Sequence, residues 1–519
     1  MARASHGPRP HGRMERIARI SRTTVDHLRE SLLWTSASRQ PAVRAPKQKN
    51  GTLMRKNLRL GLATATAAAL TGGLLGLSTG TATAAAPAKP AQTKPAKPAK
   101  YTDDFNGDGY RDYATTEDDD TVRVTYGAKS GIGTRTKTFH QNSPGIPGTR
   151  DGEEDMFGEA MATADFNGDG YADLAVSDPT ETVASRGLAG LVTIVWGSKS
   201  GLGSKATALP LAKPYHDQWF GSHLAAGDFN GDGKPDLAVA DSTSVHIYRG
   251  GFSSKNGGTG KVTHHKPKGH VVNEPTALIA GKVTKDKATD LYVLGAGEPS
   301  RDRSTSGSWF LRGGSTIKAG KPTTYNSREA NFAASGVVAD FDKDGYGDLA
   351  VGDVPYKAGA GSVIVTRGTA NGPGSSYRLT QDTPGIATKM SKRDLFGISL
   401  SAGDTNRDGY PDLAVGTLEN IGSTEWAGGV HILRGGKKGL TGTGSQWITR
   451  DTKGIPGKPF EVEMFASDVR LRDDDRDGDA DLFVSTDYHA KKSLLLKAGP
   501  AGITTGSPRG LRIRTDFPQ

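Results

Sequence analysis

The 519-residue chain contains no cysteine. That absence excludes disulfides, thiolate nucleophiles and metals held on sulfur. A His-Glu-x-x-His motif is also missing, and Gly260-Lys261 runs into Val262, so there is no phosphate loop. Gly76-Leu77-Ser78-Thr79-Gly80 has the spacing of a nucleophile elbow but falls in an apolar leader, out of context. Basic charge is scarce where a nucleic-acid surface would need it. The net charge is +10, yet residues 1–100 hold 18 Lys/Arg against 3 Asp/Glu, and the other 419 hold 48 against 53. The basicity belongs to the leader, so no nucleic-acid partner is expected.

One long apolar run is present. Met54-Arg55-Lys56-Asn57-Leu58-Arg59 precedes an Ala/Leu/Gly-rich stretch from Leu60 to about Leu77, and small residues follow at Ala82-Thr83-Ala84 and Ala84-Ala85-Ala86. This is the anatomy of a secretory signal peptide, residues 54–86. A membrane anchor is the weaker reading, because Gly and Thr dilute the run. Signal peptides begin at an initiator methionine, so residues 1–53 read as an extension upstream of a true start at Met54. Residues 87–100 form a Pro/Lys/Ala linker, extended and solvated. The expected product is secreted or cell-wall associated, monomeric, and without a membrane span in its mature form.

The remainder, residues 101–519, is organised around one recurring stretch. In Asp165-Phe166-Asn167-Gly168-Asp169-Gly170-Tyr171-Ala172-Asp173 oxygen side chains stand at positions 1, 3, 5 and 9, with Gly at position 6. Alternate side chains of a tight loop can aim at one centre, and three or four such oxygens plus the position-7 carbonyl suit Ca²⁺. Gly170 permits the sharp turn. The candidate ligands are Asp104, Asn106, Asp108, Tyr110 and Asp112, then Asp165, Asn167, Asp169, Tyr171 and Asp173, then Asp228, Asn230, Asp232, Lys234 and Asp236. Three further sets follow: Asp340, Asp342, Asp344, Tyr346 and Asp348; Asp404, Asn406, Asp408, Tyr410 and Asp412; Asp473, Asp475, Asp477, Asp479 and Asp481. Position 7 enters each set through its carbonyl, so its side chain is free to vary. About six structural Ca²⁺ ions are expected, the figure following from these six sets.

These are not EF-hands, which need a bidentate Glu at position 12. Position 12 here is Thr115, Val176, Val239, Val351, Val415 or Val484. An apolar run such as Asp-Leu-Ala-Val opens at position 9 and predicts a buried strand, so each loop joins two strands. Seven second strands end near Gly: Val122 to Gly127, Gly190 to Gly197, Val245 to Gly250, Trp309 to Gly313, Val363 to Gly368, Val430 to Gly435 and Leu494 to Gly499. Four strands in roughly 60 residues, seven times over, is the arithmetic of a propeller. The fourth unit is degenerate, with Lys282, Thr284 and Lys287 at positions 1, 3 and 6. It should bind no calcium, either because the Lys282 ammonium replaces the ion beside Asp286 and Asp290 or because the loop has decayed.

Phe157-Gly158, Phe220-Gly221 and Phe396-Gly397 precede the loops, and Ser177-Asp178-Pro179 or Gly352-Asp353 follows them. Together with the loops they resemble the FG-GAP repeat of the integrin α-subunit N-terminal propeller and of related bacterial secreted proteins. The resemblance implies an all-β, seven-bladed β-propeller with calcium-binding hairpin loops on one rim, and a non-catalytic binding or adhesion role toward an extracellular protein or carbohydrate. Two departures leave ring closure open. Unit one has only Tyr101-Thr102-Asp103 before its loop, and unit seven has Phe465-Ala466; the terminal Gly510 to Arg514 segment is the candidate closing strand. A second reading is a hydrolase, since similar repeats accompany the catalytic domain of glycosylphosphatidylinositol phospholipase D. Further candidates are a loop of His264, His265 and His270 for a transition metal, rim carboxylates (Glu153, Glu154, Asp155, Asp217, Glu461, Glu463) for glycoside hydrolysis, and Trp219, Trp426 and Trp447 for stacking on sugars.

Overall fold

A computed structural model describes residues 99–518, except 118–119, 151–154, 204, 269–270, 301–302, 327–334, 487–492 and 513–517. The expected signal peptide, the upstream extension and nearly all of the linker lie outside the described residues, as do Glu153, Glu154 and His270.

Seven antiparallel sheets follow one another along the chain. Blade 1 is β1 (Tyr113–Glu117), β2 (Thr121–Ala128) and β3 (Gly131–Phe139). Blade 2 is β4 (Met161–Ala164), β5 (Asp173–Asp178), β6 (Leu191–Val195) and β7 (Ala206–Ala208). Blade 3 is β8 (His223–Gly227), β9 (Asp236–Ala240), β10 (Val245–Tyr248) and β11 (Val262–His265). Blade 4 is β12 (Glu274–Gly281), β13 (Asp290–Ser300) and β14 (Arg303–Arg312), with β15 (Lys318–Ala319) and β16 (Thr323–Asn326) both on β14. Blade 5 is β17 (Gly336–Ala339), β18 (Asp348–Gly352), β19 (Val363–Thr366) and β20 (Ser376–Leu379). Blade 6 is β21 (Leu400–Gly403), β22 (Asp412–Thr417), β23 (Gly429–Arg434) and β24 (Thr441–Ile448). Blade 7 is β25 (Val469–Arg472), β26 (Asp481–Ser485), β27 (Ser493–Leu496) and β28 (Arg509–Leu511). The first strands β4, β8, β12, β17, β21 and β25 touch one another in succession, which makes them the inner strands of a β-propeller.

The Asp-Leu-Ala-Val strands explain the arrangement. Every residue of β9, β18 and β22 is buried, because a second strand packs on a neighbouring blade through each face. Apolar clusters accordingly straddle the seams. Ala162, Ala164 and Phe166 of blade 2 meet Leu237, Val239 and Tyr248 of blade 3 around Phe220. Loop position 2 supplies an apolar wedge in blades 1 to 5, where Phe105, Phe166, Phe229, Val283 and Phe341 are all buried, and the buried Thr405 takes that place in blade 6. Burying one Phe contributes about 1.5–3 kcal/mol.

The last seam is built differently. Position 2 there is Asp474, whose Oδ1 accepts from Arg472 Nε at 2.7 Å, while Arg472 Nη1 donates to Asp103 Oδ2 at 2.8 Å across 369 residues of chain. The Arg472 guanidinium also lies 4.0 Å over the Tyr113 ring. Burial alone would lower the Arg472 pKa; Asp474, Tyr113 and Asp103 outweigh it and hold the group above its ordinary value. Tyr113 and Ile132 of blade 1 pack with Phe483, Leu495 and Leu511 of blade 7. The described part of the terminal segment thus completes blade 7 as its outer strand, pairing β27, and lends Leu511 to the seam. Among the described residues blade 1 has three strands, and none of them pairs with a strand of blade 7.

Candidate metal centres

Each acidic loop connects an inner strand to the second strand of its sheet, and in blade 1 it simply precedes β1. The fold of the loop is written in its own oxygens. In blade 2, Asp165 accepts the amides of Asp169 and Gly170 at 3.0 Å, Asn167 Oδ1 accepts that of Asp169 at 2.9 Å, and Asp169 accepts that of Tyr171 at 3.1 Å. The position-6 glycine donates likewise in blades 1, 3, 5 and 6, from Gly109, Gly233, Gly345 and Gly409, at 2.7–2.8 Å. In blade 7 Asp473 accepts the Gly478 amide as well, and the Arg476 amide joins it at 2.8 Å.

Position 9 has a second task. Asp173 Oδ2 accepts the Phe166 amide at 2.9 Å, and its Oδ1 accepts the amide of Gly197, just beyond β6, at 2.8 Å. The bond to the end of the third strand recurs from Gly127, Gly313, Gly368, Gly435 and Ala498. Glycine suits the site because a Cβ on Gly197 would stand 2.1 Å from the Ala172 carbonyl oxygen. All seven position-9 aspartates are buried. Burial, augmented by neighbouring loop carboxylates, pushes Asp173 up to about 8, Asp112 and Asp236 to about 7, and Asp348 and Asp481 to about 6, against the pull of the amides that bond them.

A positive charge placed among these carboxylates would offset both their burial and their mutual repulsion. The donor set fits a hard dication. Carboxylate oxygens of Asp340, Asp342 and Asp344 lie within 4.8 Å of one another, as do those of Asp473, Asp475 and Asp477. Asp348 Oδ2 and Asp475 Oδ1 are buried without a hydrogen-bond partner. The other four loops place Asn at position 3 in the same frame.

The loops are also joined into a belt by contacts absent from the sequence reading. Position 4 of each loop meets position 7 of the next in six of the seven steps. A Cβ on Gly107 would strike the Tyr171 ring at 2.8 Å, and one on Gly231 would touch Ala288. Lys285 sits 4.1 Å over Tyr346, Lys343 lies 5.0 Å over Tyr410, and Arg476 stacks 4.4 Å over Tyr110 to close the circle. Arg407 pairs with Asp477 and Asp479 at 2.7 and 2.9 Å. Position-1 carbonyls add to it, accepting amides from the next loop: Ala172 to Asp104, Thr289 to Asp228, Gly347 to Lys282, Ala480 to Asp404. Pro235 and Pro411 cannot donate, which removes that bond at two seams.

The degenerate loop shows what survives without acidic residues at positions 1 and 3. Lys282 Nζ donates to the Lys287 carbonyl of the same loop, and Asp286 pairs with Arg312 at 3.1 Å. The expected partner of Asp286 was Lys282; Arg312 takes that place because it emerges from the adjacent third strand. Asp290 keeps both backbone bonds, to Thr284 at 2.8 Å and Gly313 at 2.8 Å. Position 9 is retained there for the fold.

Other sequence candidates separate. His264 and His265 lie in strand β11 rather than a loop, so they alternate faces and do not converge: His264 packs edge-on to His246, and His265 bonds Thr263 Oγ1. Glu463 is buried against Arg450 Nε at 2.6 Å, and Asp217 pairs with His216 at 3.0 Å. Trp447 stacks on the buried His431 at 4.1 Å, and Trp219 is buried. Two residues missed from the sequence are Tyr215 and Phe460, 44% and 48% exposed. They occupy one register point, Lys213-Pro214-Tyr215 and Lys458-Pro459-Phe460, six residues before Gly221 and Ala466. Repetition of Lys-Pro-aromatic at fixed distance from Phe-Gly was the available signal.

A model of the FG-GAP repeat matches residues 157–195, 220–264 and 396–433, within blades 2, 3 and 6. Rat (Rattus norvegicus) phosphatidylinositol-glycan-specific phospholipase D is 32% identical over 177 residues, 31% of this chain and 21% of that protein. Integrin alpha-3 of Cricetulus griseus is 34% identical over 134 residues, 25% of this chain and 12% of that protein. Integrin alpha-PS2 of Drosophila melanogaster is 26% identical over 272 residues, 52% and 16%. The chain thus spans at most about a fifth of the length of these relatives. It is a seven-bladed β-propeller carrying FG-GAP repeats, and its sheets extend that architecture to the four blades the repeat model does not match.

Proposed function

We propose that this protein is a secreted, calcium-stapled propeller that binds an extracellular protein or glycan without transforming it. The observation that carries the metal half is the oxygen cage repeated in six of seven blades, with buried oxygens left without partners at Asp348 and Asp475. Asp104, Asn106, Asp108 and Asp112, and the matching residues of blades 2, 3, 5, 6 and 7, would hold the ions, with the position-7 carbonyls of Tyr110, Tyr171, Lys234, Tyr346, Tyr410 and Asp479. Bound calcium would supply the missing counter-charge and fix each loop, and through the belt, each blade to the next.

The binding half rests on the opposite rim. Loops entering the blades there are long, and they carry Tyr215 and Phe460, the large hydrophobic side chains exposed among the described residues. Loops on a rigid ring are the usual place for recognition. Secretion is supported by the signal-peptide pattern at residues 54–86; among the described residues no helix is long and apolar enough to cross a membrane. The hydrolase alternative draws on the phospholipase D relatives; of the rim carboxylates considered for glycoside hydrolysis, Glu463 is engaged by Arg450. A glycan array and a pull-down from cell-wall extract, run with and without EGTA, test the binding reading; a Tyr215→Ala/Phe460→Ala double variant should lose the ligand. Turnover of phosphodiester, ester or glycoside substrates, with no stable ligand captured, would favour the hydrolase.

A further inference from the structure

The residue immediately before the third-strand amide that bonds position 9, a glycine in blades 1 to 6 and Ala498 in blade 7, is Tyr126, Trp196, Arg249, Arg312, Arg367, Arg434 and Lys497 in blades 1 to 7. Its neighbour bonds the position-9 carboxylate, so this side chain stands at the mouth of its blade's loop. In blades 1 and 2 it is a buried aromatic ring. In blade 3 the cation turns away, Arg249 Nη1 donating to the Ser315 carbonyl at 3.0 Å. In the later blades it enters the loop. Arg367 Nη1 pairs with Asp342, at position 3. Arg434 Nη1 pairs with Asp412, at position 9, at 2.7 Å, and with Thr405 Oγ1 at 2.6 Å. Lys497 Nζ bridges Asp475 and Asp481, positions 3 and 9, at 2.7 and 2.6 Å. Blade 4 is the limiting case, where Arg312 pairs with Asp286 and the oxygens of positions 1 and 3 have been replaced by Lys282 and Thr284.

We infer that this residue sets the cation affinity of its loop and divides the six cages into two classes. Blades 1, 2 and 3 are open and bind calcium tightly; blades 5, 6 and 7 are already partly neutralised by Arg367, Arg434 and Lys497 and bind it weakly. The inference rests on the calcium reading above. A dication entering the second class must first break or share a charge-assisted hydrogen bond, which lowers affinity ~10-fold or more per site. The propeller would therefore keep one arc of blades stapled at calcium levels that empty the other arc.

The test is a calcium titration of the full mature chain by calorimetry and by equilibrium dialysis with radioactive calcium. The wild type should show three tighter and three weaker sites. Arg367→Gln, Arg434→Gln and Lys497→Gln should each move one weak site toward the tight class by ~10-fold, the fold-change of one lost charged bond. Arg249→Gln, whose side chain faces away, should move none. Six indistinguishable sites in the wild type, or a weak class unmoved by the variants, would overturn the inference while leaving calcium binding intact. No calcium bound at all would instead defeat the underlying reading. The wild-type partition needs no variant, so a variant that fails to fold leaves that arm decisive.

Discussion

Replacing Arg472 with Met should open the ring at its closing seam. The guanidinium is buried between Asp103 and Asp474, with Tyr113 beneath it and the Asp112 carbonyl accepting from both terminal nitrogens at 3.3 and 3.2 Å. Met restores much of the volume, so the main loss is charge: buried Asp474 is left without its cation, while Asp103 keeps Arg111 Nε at 3.0 Å. Breaking a buried pair in this way costs about 3–5 kcal/mol, most of it the stranded partner. With an unfolding entropy of about 2.1 cal/mol/K per residue, a propeller of this size shifts Tm roughly 1 °C per kcal/mol, so a drop of ~3–6 °C is expected in calorimetry. The decisive comparison is Arg472→Met combined with Asp474→Asn, which removes the stranded charge and should recover most of the loss. Arg476→Ala, an exposed stacking contact at the same seam, should cost less than ~1 kcal/mol. If Arg472→Met left Tm within a degree of wild type, or the double variant fell further, the polar closure would be a bystander and the apolar cluster around Leu511 would hold the ends.

Three further outcomes follow from the loops. Gly197→Ala places a methyl 2.1 Å from the Ala172 carbonyl oxygen and should destabilise by at least ~2 kcal/mol in chemical denaturation, whereas Gly499→Ala, which meets nothing within 4 Å, should be close to neutral. Asp290→Asn should destabilise the protein without changing how many calcium ions it binds, because that residue bonds Thr284 and Gly313 in the loop that has lost its ligands. In chelator, the raised position-9 carboxylates make stability depend on pH. Their ionisation costs more in the fold than in the unfolded chain, so stability is highest below the unfolded value of 3.8. It is lost as pH rises through about 6 to 8. The calcium-free protein should therefore melt higher at pH 5 than at pH 8, and excess calcium should reverse that order.

The propeller was legible because its information is local and repeated. Asp-Leu-Ala-Val announces a strand buried on both faces, the acidic turn fixes where it begins, and the Gly at the third strand's end marks the hairpin. The acidic loops were legible for the same reason, since their recurring oxygens lie within nine residues. What the sequence did not carry was everything between units. Arg472 and Asp103 are 369 residues apart, and nothing in either neighbourhood names the other. The belt of position-4 to position-7 contacts was hidden because it pairs unlike residues, Gly on Tyr at one seam and Arg on Asp at another. The histidine cluster failed for lack of a strand assignment, as Val262–His265 is a short outer strand with little apolar character. The role of Arg312 in the fourth loop was missed because the partner sits at the end of β14, 26 residues beyond Asp286.

Calcium is the cross-link this account assigns to a chain without disulfides. With sites of ~10⁻⁴ M in ~1 mM calcium, linkage gives about 1.4 kcal/mol each and roughly 8 kcal/mol for six additive sites. That is comparable to the stability of a whole domain. The most direct measurement is the melting temperature of the purified mature protein at pH 7.5 in 1 mM calcium and in EGTA, with elemental analysis of the same sample. The account predicts close to six calcium ions per chain and a fall of several degrees on chelation, restored by adding the ion back. One melting temperature in both buffers, with no divalent metal in the protein, would contradict it.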